Sequence, residues 1–171
     1  VSHVVLIGMM GAGKTTVGRL VARRLGRPFH DSDEAVEART GRTIAELFAE
    51  GGEPAFRAVE AEVLRDLLAT EEPAVIAAAG GTVLDAGSRA ALRDAGTVVW
   101  LRAEPALLAE RARTGDHRPL VAEDPAGMVA RLAGERSGLY QQTAHVVVDV
   151  DQLDADEVAE QVIAAVEEGA R

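Results

Sequence analysis

Cysteine is absent from the 171 residues, which excludes disulfides and any cysteine-ligated metal. Absent too is any apolar run approaching the roughly 20 residues that a membrane-spanning helix requires, so no membrane partner is expected. An excess of positive charge is also missing, for the net charge is −10 at pH 7. That balance argues against nucleic acid as the main partner, because a phosphate backbone rewards a basic face. No internal repeat or low-complexity linker interrupts the chain, and "HVVLIG" begins at His3 with no charged leader or cleavage pattern ahead of it. The expectation is a single domain over residues 1–171, monomeric and cytoplasmic. The remaining composition, 47% hydrophobic and 27% charged, is that of an ordinary globular protein with length enough for one buried core.

Lysine is almost missing as well. The 18 basic residues divide into 17 arginines and one lysine, Lys14. Arginine is a wide planar fork, whereas lysine is a compact point charge on a flexible stem. A chain that uses arginine everywhere else and lysine once directs attention to the surroundings of position 14.

Those surroundings are "GMMGAGKT", Gly8 to Thr15, which fit G-x-x-x-x-G-K-[ST] in full. The apolar run "HVVLI" before it reads as a buried parallel strand. The run "TVGRLVARRLG" after it carries Val17, Leu20, Val21 and Leu25 at helical spacing, with Gly26 as the stop. Glycines at 8, 11 and 13 let the backbone wrap an anion, so that amides and a helix N-terminus point at phosphate. Lys14 can reach the β- and γ-phosphates, and the Thr15 hydroxyl can join the shell of Mg²⁺. Gly11, Ala12, Gly13, Lys14, Thr15 and Thr16 are therefore the expected ATP-binding residues. Guanine-reading N-K-x-D is impossible without a second lysine, so GTPase chemistry is not indicated.

Strands and helices alternate along the rest of the chain. Pro28 and Phe29 lead into a second strand; "AVIAAAGG", "GTVVWLRA" and "HVVVDV" read as the third to fifth. Thr43 and Glu46 have the spacing of a capping box, "GEPAFRAVEAEVLRDLLAT" has the period of a long amphipathic helix, and "DADEVAEQVIAAVEE" closes the chain with another. This pattern predicts an α/β fold, a parallel sheet covered by helices on both faces, with ligands at the carboxyl ends of the strands. Residues 113–124, "RTGDHRPLVAED", lack periodicity between two helical patterns and are the candidate mobile loop.

Candidate acceptor-side residues come in small groups, each with an ordinary structural alternative. Asp31 and Asp33 in "FHDSDE" are a turn or helix cap, or else two carboxylates at the end of strand two. As residues i and i+2 of a strand they would point to one side about 6–7 Å apart, one toward Mg²⁺ and one toward an acceptor hydroxyl. Arg57 and Glu60 share a helix face, as a surface ion pair or a ligand grip. Gly80 and Gly81 end strand three, as a simple turn or as free amides for a carboxylate or hydroxyl. Arg136 lies late in a helical pattern, and Arg113 and Arg118 in the loop could meet the nucleotide when the loop folds over. Trp100, in an apolar strand, reads as core; His30 and His117 receive no role.

Together "GMMGAGKTT", "FHDSD", "GEPAFRAVE", "AAGGTVL", "RTGDHRPL" and "ERSGLYQQTA" resemble the shikimate kinase family, in order and over nearly the whole chain. The resemblance implies a five-stranded parallel sheet of the nucleoside monophosphate kinase type. A substrate-binding segment would lie at about 31–60 and a lid at about 113–124. It implies Asp33 as the acceptor-hydroxyl contact and general base, with Asp31 beside Thr15 on the magnesium side. Arg57 and Arg136 would clamp the substrate carboxylate, with Gly80 and Gly81 as backbone contacts. Arg118 would be the lid arginine on the transferring phosphate and Arg113 the one packing on adenine. Lys14, Asp33 and Arg118 are thus the implied catalytic set, ATP and shikimate the partners, and Mg²⁺ the cofactor. The chain departs from the family pattern at Ala79, where glycine is common, in the short spacing of the lid arginines, and at Gly138, where proline is usual.

Two other readings share these features: a kinase for another carboxylated polyol such as gluconate, and a catalytically silent nucleotide-binding regulator. The division of labour between the aspartates is directly testable. Asp33→Asn should cut turnover far more than ATP affinity, whereas Asp31→Asn should shift the Mg²⁺ dependence. Steady-state kinetics giving both variants one identical defect would remove that division.

Overall fold

The computed structural model describes residues 2–114 and 124–171. Five strands form one parallel sheet in the order β2-β3-β1-β4-β5. They are β1 (His3–Ile7), β2 (Phe29–Asp31), β3 (Val75–Ala77), β4 (Gly96–Arg102) and β5 (Val146–Asp149). The helices are α1 (Lys14–Leu25), α2 (Ser32–Thr40), α3 (Ile44–Leu68), α4 (Ala86–Ala95), α5 (Pro105–Thr114), α6 (Pro125–Thr143) and α7 (Ala155–Gly169). All the strands read from the sequence are present.

The strand order follows from connection handedness. A right-handed crossover from β1 to β2 puts α1 on one face, and the chain then reverses direction along the sheet, so the helices from α3 to α6 fall on the other. Accordingly α1 packs beside α7, while α4 packs beside α3 and α6. Buried on both faces, β1 consists of five residues with almost no exposure. His3 begins it as a buried polar bridge: its Nδ1 accepts from the Ala74 amide at 3.1 Å and its Nε2 lies 3.2 Å from the Leu68 carbonyl. Trp100 is in the main core, with its ring centroid 5.5 Å from that of Tyr140.

Three boundaries differ from the sequence reading; one is that β3 ends at Ala77, so Gly80 and Gly81 lie in the turn beyond strand three and do not end it. Strand two stops at Asp31, and Asp33 lies in the first turn of α2. The two carboxylates are therefore not strand neighbours on one side of a pleat; Asp31 caps the helix that carries Asp33. The candidate loop also begins later, because α5 continues through Thr114; residues 115–123 lie outside the described residues. Elsewhere the capping box at Thr43 and Glu46 is formed, and α3 breaks at Gly52, whose φ of 74° and ψ of −178° separate its two helical parts.

That broken helix and α2 enclose a second, smaller hydrophobic cluster of Val36, Phe56 and Val63, with Phe48 stacked on Phe56 at 4.6 Å. Among the described residues no helix is long and apolar enough to cross a membrane.

Register at the start of β4 depends on a missing side chain. Gly96 pairs with His3, and a Cβ there would fall onto the His3 backbone. Gly96→Ala should therefore cost about 1–3 kcal/mol or more, by overpacking against backbone that cannot rotate away. A lowered urea midpoint with unchanged slope is the expected readout.

Candidate active site

The phosphate loop leaves β1 at Gly8 and enters α1 at Lys14. Gly11 and Gly13 have φ of 86° and 98°, angles at which a Cβ would be strained, so the glycines are what allow this path. Helix α1 has Gly13 as N-cap with no side-chain cap bond and no acidic residue in its first turn, which leaves its N-terminal amides for an anion. Lys14 Nζ donates to the carbonyls of Gly8 and Met9 at 2.7 and 2.9 Å, bracing the loop from inside. Ala12 is buried beneath it and Thr16 exposed in the first helical turn.

Thr15 connects this loop to the aspartates. Its Oγ1 donates to Asp31 Oδ2 at 2.8 Å, while Asp31 Oδ1 accepts from the amides of Asp33 and Glu34 at 2.9 and 3.2 Å. Asp31 is thus both the helix cap and the partner of Thr15, one role on each oxygen. A hydroxyl and a carboxylate at the foot of a phosphate loop are the hard oxygen donors that suit Mg²⁺, which takes one or two protein oxygens and completes its shell from phosphate and water. Asp33 is exposed one step along α2, and its charge is felt by Glu60.

The arginines converge on the end of β3. Arg57 Nη1 donates to Glu60 Oε1 at 2.9 Å, and a Cβ on Gly81 would collide with the Arg57 guanidinium. Arg136 Nη1 lies 3.4 Å from where a Cβ on Gly80 would stand. Neither pair is a solvated surface feature, since Glu60 is 3% and Arg136 5% exposed. Burial raises the Glu60 carboxyl above its ordinary pKa, with the Arg57 charge and hydrogen bond pulling the other way. Glu60 Oε2 and Arg136 Nε are buried without a hydrogen-bond partner among the described residues, a costly arrangement in a protein interior.

Between the arginines, Ala79-Gly80-Gly81 is held at nearly every other backbone group. The Ala79 amide donates to Ser32 Oγ at 2.8 Å, and the Ala79 carbonyl accepts from the Thr82 amide and hydroxyl at 3.1 and 2.7 Å. Tyr140 donates its hydroxyl to the Gly80 carbonyl at 2.8 Å, and the Leu84 amide donates to the Gly81 carbonyl at 3.1 Å. No hydrogen bond from the amides of Gly80 or Gly81 is present among the described residues.

Arg111 is the nucleotide-side residue that sequence reading passed over. Its Nη1 donates to the Gly11 carbonyl at 2.6 Å, laying the side chain over the phosphate loop. The register of α5 against the loop is what brings Arg111 of "ERARTG" there. Arg113 lies in the last turn of that helix with its side chain outside the described residues, as is all of Arg118. Ser32 and Tyr140 were also missed as parts of the site: both stand in the quoted motifs, but their contacts are to residues far along the chain.

The buried carboxyl makes a pH-dependent prediction. Since the folded state raises the pKa of Glu60, it holds the proton more tightly than the unfolded chain does. The associated stability is complete below the unfolded value of about 4.3–4.5 and is lost as pH rises through the folded value. Wild type should therefore lose stability relative to Glu60→Gln as pH is raised from 4 to 8, measured by urea unfolding; a gap independent of pH would contradict the assignment.

Comparison with known proteins agrees with this geometry. Residues 10–167 match the family model described as shikimate kinase. A shikimate kinase of Symbiobacterium thermophilum is 47% identical over 169 residues, covering 97% of both chains. The solved structure of shikimate kinase from Acinetobacter baumannii in complex with shikimate superposes with a TM-score of 0.94 at 36% identity, covering 99% of this chain and 94% of that one. A gluconokinase from Sinorhizobium meliloti, at 22% identity and a TM-score of 0.66 over 98% of this chain and 92% of its own, shares the fold alone. The site and these matches lead to one assignment: the chain belongs to the shikimate kinase family.

Proposed function

We propose that the protein transfers the γ-phosphoryl group of ATP to a ring hydroxyl of shikimate, giving shikimate 3-phosphate and ADP. The observation that carries this reading is the convergence of Arg57 and Arg136 on Gly80 and Gly81, whose amides make no hydrogen bond among the described residues. Two arginines and two amides form a receptor for a carboxylate and its neighbouring hydroxyls. The Thr15–Asp31 hydrogen bond joins the start of α2, which carries Asp33, to the phosphate loop. The segment at about 31–60, beside its own small core, is the proposed acceptor-binding segment, and a monomer is the proposed working unit.

Each role follows from position. Lys14 and the first-turn amides of α1 hold the phosphates, with Gly11, Ala12, Gly13 and Thr16 completing the loop. Thr15 and Asp31 would hold Mg²⁺, whose contribution when bound is to neutralise charge on the transferring phosphate. Arg111 sits where it can meet the nucleotide, and Arg113 and Arg118 remain proposals from the lid resemblance. Arg57 and Arg136 fix the acceptor carboxylate, which aims the hydroxyl; such positioning and charge stabilisation is most of what phosphoryl transfer requires. Asp33, exposed at the start of α2, orients the hydroxyl and receives its proton as the bond to phosphorus forms. Closure of the lid would exclude water as a competing acceptor.

Coupled ATP-consumption assays across a panel of hydroxy acids test the reading. Turnover with shikimate is expected; turnover with gluconate alone would transfer the site to another acid, and no turnover with any acceptor would favour a silent regulator. Arg136→Ala should weaken acceptor binding by roughly 2–5 kcal/mol, as for one partner removed from a desolvated charge pair, while sparing ATP.

A further inference from the structure

Two glycines cannot aim their own amides. With no Cβ on either side, the peptide joining Gly80 to Gly81 can rotate about its flanking bonds at little steric cost. That peptide carries the Gly80 carbonyl at one edge and the Gly81 amide at the other. In a planar trans unit the two point in opposite directions, so whatever holds the carbonyl also directs the amide. The hydrogen bond to that carbonyl comes from Tyr140, at 2.8 Å.

Tyr140 is well placed to hold a direction. It is 1% exposed, its ring packs 5.5 Å from that of Trp100, and it lies one helical turn after Arg136 on α6. A Cβ on Gly80 would stand 3.5 Å from its hydroxyl oxygen, 3.4 Å from Arg136 Nη1 and 3.4 Å from the Gly8 carbonyl. Burial pushes the phenol up to about 12, against the opposing pull of Arg136, so the hydroxyl keeps its proton and remains a donor at neutral pH.

We propose that Tyr140 is a positioning residue for the acceptor, its hydroxyl locking the Gly80–Gly81 peptide so that the Gly81 amide faces the acceptor site. The inference rests on the proposed use of that amide by shikimate. It separates Tyr140 from a residue that merely fills the core, because the ring supplies the packing and the hydroxyl alone supplies the direction. Breaking the bond frees the peptide to turn over, which presents a carbonyl where the acceptor carboxylate requires a donor.

Tyr140→Phe removes the hydroxyl and keeps the ring. The KM for shikimate should rise about five- to tenfold, as for loss of roughly one net hydrogen bond, with the KM for ATP within twofold of wild type. In ¹⁵N–¹H spectra, saturating shikimate should shift the Gly81 amide of wild type and leave that of Tyr140→Phe nearly unmoved. A variant with lower thermal stability but an unchanged shikimate KM would overturn the proposal, since that is the pattern of a structural hydroxyl. Should the variant not fold, the wild-type titration decides: a Gly81 amide indifferent to shikimate is equally fatal. Failure of wild type to phosphorylate shikimate at all would instead overturn the function proposed above, and the inference with it.

Discussion

The site depends on parallel pairing at the centre of the sheet. Leu6 of β1 pairs with Ala77 of β3, and Asp31 of β2 pairs with the same Ala77. Within two residues of these positions the chain turns out of the sheet, at Gly8, at Ser32 and at Ala79. The phosphate loop, the aspartates and the glycine amides therefore emerge at one rim because three strands end in register. A one-residue slip would exchange the faces of a strand, and in β1 and β3, buried along their whole length, it would force both faces to repack. Every contact between donor and acceptor sides, Thr15 with Asp31 foremost, follows from this alignment.

Several groups at the rim serve structure and site at once. Asp31 divides its two oxygens between a helix cap and Thr15. Lys14 braces two carbonyls of the loop whose phosphates it is proposed to hold. Glu60 holds Arg57 from a buried position, where an ionised carboxylate is unfavourable and one oxygen has no hydrogen-bond partner among the described residues. An apolar pair would be cheaper there. Retaining charge at that cost is reasonable where an arginine must be held ready for an anionic ligand, and functional sites are where such local conflicts concentrate.

Much of this was legible beforehand, and for definite reasons. The five strands stood out because buried parallel strands read as short apolar runs, and "HVVLI" and "TVVWL" leave little choice. The phosphate loop stood out because its geometry demands glycines and one lysine at fixed spacing. The aspartates were less well resolved: a strand continuing to Asp33 and a helix beginning at Ser32 differ by one residue of hydrogen bonding. Asp31 favoured the helix by accepting two of its free amides. Ser32 and Tyr140 escaped notice because a hydroxyl in a motif does not announce its partner. Theirs are Ala79 and Gly80, 47 and 60 positions away.

The sequence by itself determined the alternation of strands and helices, the nucleotide loop and the residue types available to grip an acid. These rest on local physics, namely periodicity, backbone freedom at glycine and the chemistry of single side chains. Only the tertiary structure decided that Glu60 and Arg136 are buried, that Arg111 is the described arginine lying on the phosphate loop, and that Tyr140 holds the peptide between Gly80 and Gly81. Burial, helix register and the direction of a peptide plane depend on which distant segments meet, and that is settled when the sheet assembles.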